Sequence, residues 1–205
     1  MFGIKLYYKI SALVALIVFG MQAILMVVSW LVTAANPELY LRSMLGGEGL
    51  RWLFGRFTEN LESPLLVWIV LGSIAYGAVS ESGVVAAMQK GKANDYRTRV
   101  ALHVVVCELV AAFCIMAMLT ILPHGILLSA VGQLFPSSFS VGLFPMLAFL
   151  VWVVAFTYGF MTGHFRSVTD AFCAMTEGIK MAAPLLVVYV FVAEFYNSLL
   201  FVFML

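Results

Sequence analysis

The chain has 205 residues, of which 64% are apolar and only 10% charged, with a formal net charge of +1. Soluble domains carry about a quarter charged residues, so this balance excludes an ordinary water-soluble fold and predicts an integral membrane protein. The Lys and Arg residues are scattered, which leaves no basic surface for nucleic acid.

Lys5 and Lys9 precede an apolar run from about Ile10 to Val32. A signal-peptide core is about 7 to 15 residues long. The run is too long for one, and reads as an uncleaved first span with a cytoplasmic amino terminus and Trp30 near the far interface. Between Asn36 and Glu62 the chain turns interfacial. Leu50, Trp52, Leu53, Phe54, Phe57 and Leu61 alternate there with Arg51, Arg56, Glu59 and Glu62. Residues 47–61 form either a surface helix or the first arm of a re-entrant hairpin whose irregular tip is shielded by protein. Pro64 opens the second apolar run, Leu65 to Met88, which holds Gly72, Ser73, Gly77, Ser80, Ser82 and Gly83. Small residues at this density let helices approach closely and also permit a break, so packing and hairpin readings stand side by side.

The connection from Gln89 to Arg99 carries Lys90, Lys92, Arg97 and Arg99, and is expected on the cytoplasmic side. A third span follows from about Val100 to Leu122, with His103 and Glu108 inside it. Pro123 to Gly142 has no Lys or Arg and fits the opposite side. A fourth span runs from about Leu143 to Met161. Beyond His164 and Arg166, Ser167 and Asp170 have the spacing of a capping box that starts a helix. From Ser167 to Lys180, Val168, Ala171, Phe172, Met175 and Ile179 share one side, and Thr169, Asp170, Thr176, Glu177 and Lys180 the other, as in an interfacial helix. The fifth span covers about Met181 to Phe203.

The fold expected is therefore a single all-α integral membrane domain over residues 1–205. It has about five transmembrane helices, an amphipathic or re-entrant hairpin segment and one interfacial helix. Lys5, Lys9, Lys90, Lys92, Arg97, Arg99, Arg166 and Lys180 fall on one side, against Arg42, Arg51 and Arg56 on the other. This bias predicts a cytoplasmic amino terminus, and the membrane expected is the cell inner (plasma) membrane.

A charged side chain at bilayer depth costs at least about 2.5 to 3.5 kcal/mol. Glu194, in the middle of the fifth apolar run, and Glu108, in the third, are accordingly the first functional candidates. The plainer reading of each is a neutral acid that hydrogen-bonds two helices together. Cys107, Cys114 and Cys173 lack metal-ligand spacing and read as buried reduced thiols. His103 and Cys107 share a helical face, but two ligands point more to packing than to a metal, and no cofactor is expected. There is no nucleophile elbow, HExxH or phosphate loop, so an enzyme is not expected. His103 and Glu108 lie well off a common helical face, and Ser82 and Ser167 lack a local base.

Two blocks resemble the aminobenzoyl-glutamate transporter family. In the first, Leu41 to Met88, a Gly-Leu-Arg-Trp start at Gly49 leads to the close VSESGVV, where Glu81, Ser82 and Gly83 match. In the second, Phe156 to Asn197, the matches include Tyr158, Gly159, Gly163, Met175, the Lys180 region and Phe195. The family is longer. It has inverted repeats and a second hairpin, neither of which is found here, and more often a Gln where Glu194 stands. The resemblance implies a reduced membrane transporter that needs self-association, since such proteins hold substrate between two repeats near the midplane. It implies Glu108, Glu194 and Glu81 as proton-coupling candidates, Gly72, Ser73, Gly77, Ser82 and Gly83 near substrate, and a small anionic substrate. GFMTG, from Gly159 to Gly163, is a small-residue contact that a homo-oligomer could use. The alternative is a non-transporting membrane scaffold or accessory subunit derived from that family.

Overall fold

A computed structural model describes residues 2–90, 96–121 and 137–204, which are helical throughout apart from short connections and contain no strand. The elements are α1 (Phe2–Ala35), α2 (Gly47–Gly55), α3 (Phe57–Leu61), α4 (Pro64–Ser82), α5 (Val84–Lys90), α6 (Tyr96–Ile121), α7 (Ser138–Thr162) and α8 (Val168–Phe203). Five of them, α1, α4, α6, α7 and α8, are long and apolar enough to cross a membrane, so the all-α membrane class is borne out.

Boundaries differ from expectation where local chemistry intervenes. The second span, expected to reach Met88, stops at Ser82, because Gly83 takes a left-handed backbone conformation (φ 75°) that glycine adopts without strain. α5 is then a separate short helix. α7 starts earlier than expected because Ser137 and Ser140 form a reciprocal capping box. The interfacial helix expected over Ser167 to Lys180 and the span expected from Met181 are one continuous helix, the 36-residue α8. At 1.5 Å per residue α8 is roughly 54 Å long, against a hydrocarbon core of about 30 Å. Its start is as the sequence predicts: the Asp170 N–H donates to Ser167 Oγ (3.2 Å), and the Asp170 carboxylate accepts from the N–H groups of Arg166 (3.0 Å) and Ser167 (3.1 Å). Parts of both loops expected on opposite membrane sides, residues 91–95 with Lys92 and residues 123–136, lie outside the described residues, as does Leu122, the expected end of the third span.

The chain forms two compact units, Met1–Ile69 with Ala182–Leu205, and Val70–Met181. In the first unit Met44, Phe201 and Val202 are buried among Leu25, Met26, Leu41, Trp52 and Leu53. The Trp52 ring stacks on Phe201 with centroids 4.5 Å apart. Polar contacts pin the linker after α1: the Met44 N–H donates to Ser29 Oγ (3.2 Å) and the Arg42 N–H to the Val202 carbonyl (3.1 Å).

In the second unit α6 and α7 pack against each other, and Val84, Ala101, Val105 and Tyr158 form a buried cluster. A smaller cluster joins Phe165, Ala171 and Ala174. The interfacial stripe is thus only partly as expected, since Ala171 is buried while Val168 and Phe172 are exposed. α4 meets α8 backbone to backbone. A Cβ added at Gly178 would lie 2.8 Å from the Gly77 nitrogen and 2.9 Å from its Cα, and would collide with the Ser73 carbonyl. Lipid supplies no hydrophobic drive between helices, so close approaches of this kind are what hold them together. The GFMTG glycines have roles inside the chain. Gly159 is buried beneath the Phe165 ring, and Gly163 ends α7 in a left-handed cap (φ 81°).

Candidate functional site

The last turn of a helix leaves carbonyls without intrahelical partners. At the end of α3 these include the carbonyls of Asn60 and Leu61, and the C-terminal half of α8 supplies a donor to each. Asn197 Nδ2 donates to the Asn60 carbonyl at 2.9 Å, and Tyr189 Oη to the Leu61 carbonyl at 2.6 Å. Tyr189 Oη also shares a hydrogen bond with Ser63 Oγ (2.8 Å), just before Pro64 opens α4. α8 therefore grips the turn between α3 and α4 through side chains.

Glu194 sits on the same stretch of α8. Both of its carboxylate oxygens accept from Asn60 Nδ2 at 3.3 Å, and the two residues are 9% and 8% exposed, so the pair is largely buried. One turn further along, Gln22 of α1 donates from Nε2 to the buried Ser198 Oγ at 2.8 Å, while its Oε1 is buried without a partner. A cavity of about 380 Å³ adjoins this cluster, lined among others by Arg42, Trp52, Arg56, Glu59, Asn60 and Asn197. Its size is within the usual range for small-molecule sites. The Arg42 guanidinium lies 5.4 Å over the Phe201 ring and 3.7 Å from Glu48, and Arg56 is 3.6 Å from Glu59. The cavity wall thus combines two guanidinium groups, each beside a glutamate, with the Trp52 and Phe201 rings.

Of the residues singled out in the sequence, Glu194 belongs to this cluster. Glu108 lies in the second unit, half-buried, where Thr157 Oγ1 donates to its Oε1 at 2.6 Å. Glu81 is exposed on the last turn of α4. The small residues expected near substrate also fall in the second unit, as packing and turn residues. Gly72 faces Phe144, and Ser73 Oγ bonds its own helix at Val70. Gly77 forms the α8 crossing, Ser82 Oγ bridges Val79 and Val84, and Gly83 lies beneath the His164 ring. His103 Nδ1 bonds the Arg99 carbonyl at 2.7 Å, and Cys107, Cys114 and Cys173, expected buried, are exposed. Among the described residues no three His, Cys, Asp or Glu side chains are grouped to hold a metal.

Asn60, Ser63, Tyr189, Asn197 and Gln22 were not found from the sequence. Gln22 and Asn197 carried a usable signal, since each is an amide inside an apolar run. Compared with protein-family models, with curated proteins and with solved structures, the chain matches none.

Proposed function

We propose that the chain is a membrane transporter, similar to the aminobenzoyl-glutamate transporter family and reduced in length. It works as a homo-oligomer in the inner (plasma) membrane with its amino terminus cytoplasmic. Glu194 carries the coupling proton. The Asn60–Glu194 pair is the observation that carries this reading. Ionisable groups within membrane helices are functional by default, and this one has a neutral amide as partner instead of a fixed counter-ion.

A carboxylate accepts from the Asn60 amide nitrogen, and a protonated carboxyl donates to the amide oxygen once that side chain rotates. Asn60 can therefore serve both protonation states, as Lys or Arg could not. α2 and α3 lead into α4, and a change at Asn60 alters the hold on the turn between them. That turn adjoins the cavity of Arg42 and Arg56, where a small anionic substrate binds.

Proteoliposomes given an imposed pH gradient and radiolabelled aminobenzoyl-glutamate test the proposal. Wild type accumulates label, and Glu194→Gln, which preserves shape and hydrogen bonding, does not. Equal uptake by the two would remove Glu194 from the mechanism. No uptake by wild type, with one foreign membrane protein co-purifying in fixed ratio, would replace transport by the scaffold role.

A further inference from the structure

The groove between α6 and α7 is not used by the transport reading of Glu194. It is an open groove of about 790 Å³ with apolar walls, Ala112, Phe113 and Met116 of α6 across from Met146, Leu147 and Phe149 of α7. Glu108 lines one end. Its Oε1 takes the Thr157 hydroxyl, while its Oε2 is buried and has no hydrogen-bond partner. Leaving a buried carboxylate oxygen unpaired is costly, and a ligand that brings a donor removes that cost.

The depth of Glu108 narrows the choice of ligand. It sits at the middle of α6, and Thr120, another polar residue of the lining, lies roughly 18 Å further along the helix at 1.5 Å per residue. Phospholipid headgroups stand about 15 Å from the midplane of the hydrocarbon core. A phospholipid in the groove would therefore bring its methyl end to the carboxyl and leave Oε2 unpaired. A molecule with an apolar body and a terminal nitrogen satisfies both the walls and the acid.

We propose that this groove binds a lipophilic amine, a long-chain alkyl or aryl ammonium. Its nitrogen pairs with Glu108 Oε2 and its apolar body lies along α6 and α7 toward Thr120. The site needs nothing from Glu194 and stands whether or not the chain transports aminobenzoyl-glutamate.

The test uses the full chain in lipid nanodiscs with two photoactivatable probes of equal length, a diazirine-bearing dodecylamine and the corresponding dodecanol, and maps adducts by mass spectrometry. Amine adducts should gather on Phe113, Met116, Leu147 and Phe149 and exceed alcohol adducts there about tenfold, the difference a charge-assisted hydrogen bond makes. Glu108→Gln should bring the amine down to the level of the alcohol. Ala112→Trp, which fills the groove and keeps the carboxyl, should lower both. Equal labelling of wild type by amine and alcohol overturns the proposal without recourse to any variant. Amine adducts spread as densely over α1 as over the groove overturn it too, as do cross-links at Phe113 to a second copy in place of amine adducts.

Discussion

Gly178→Ala is expected to lower the stability of the folded protein by about 3 kcal/mol, the upper end of the usual overpacking range. The added methyl would meet backbone on every near side: the Ser73 carbonyl, the Gly77 nitrogen at 2.8 Å and the Gly77 Cα at 2.9 Å. Backbone cannot swing aside as a side chain does, so α4 and α8 must separate. In a bilayer that separation forfeits packing that no hydrophobic term replaces. Gly20→Ala in α1 is the matched control, since a Cβ there has nothing within 4 Å. It should be neutral or stabilising by about 0.5 to 1 kcal/mol, because Ala suits a helix interior better than Gly. Thermal unfolding of the two variants in the same detergent gives the comparison. Equal melting temperatures would mean that α4 and α8 do not cross at Gly77 and Gly178.

Asn60→Leu is the second large effect. The variant keeps a side chain of similar size and removes the amide that donates to Glu194, leaving a carboxyl that is 9% exposed without that partner. The expected loss is about 3 kcal/mol, the penalty for orphaning a buried acid. Glu194→Gln, which can still accept from Asn60, should cost about 1 kcal/mol or less. Combining Asn60→Leu with Glu194→Leu should recover most of the loss, because removing both partners of a buried polar pair costs less than removing one. Additive losses in the double variant would show that the two side chains do not interact.

The lipid-length helices were legible because they need only composition, and α1, α6 and α7 each contain the apolar run read for them, apart from Leu122 outside the described residues. The continuity of α8 was not. Its first half is amphipathic and its second apolar, and even Pro184, just past the junction at Lys180 and Met181, does not end the helix, so the change of character is not a change of backbone. The sequence offered several glycines between Gly72 and Gly83 as possible breaks. The one that ends α4 is Gly83, which lies beneath the His164 ring and takes a positive φ, a choice made by tertiary contact.

Glu194 could be picked out as an acid alone in an apolar run. Asn60 could not, because it stands in a segment full of polar residues and meets its partner across 134 positions of sequence. The same holds for Glu108, visible in the third run, and Thr157, 49 positions away and unremarkable by itself. Spacing along one helix reports faces, and it carries no record of which other helix a face will meet.

The role of Glu194 as the coupling acid is tested most directly by trapping a pH-sensitive dye inside proteoliposomes and adding aminobenzoyl-glutamate outside with no gradient imposed. Wild type should change the lumenal pH on addition of substrate, and Glu194→Gln, shown to be folded by its melting temperature, should leave it constant. A pH change of the same size in both would contradict the account.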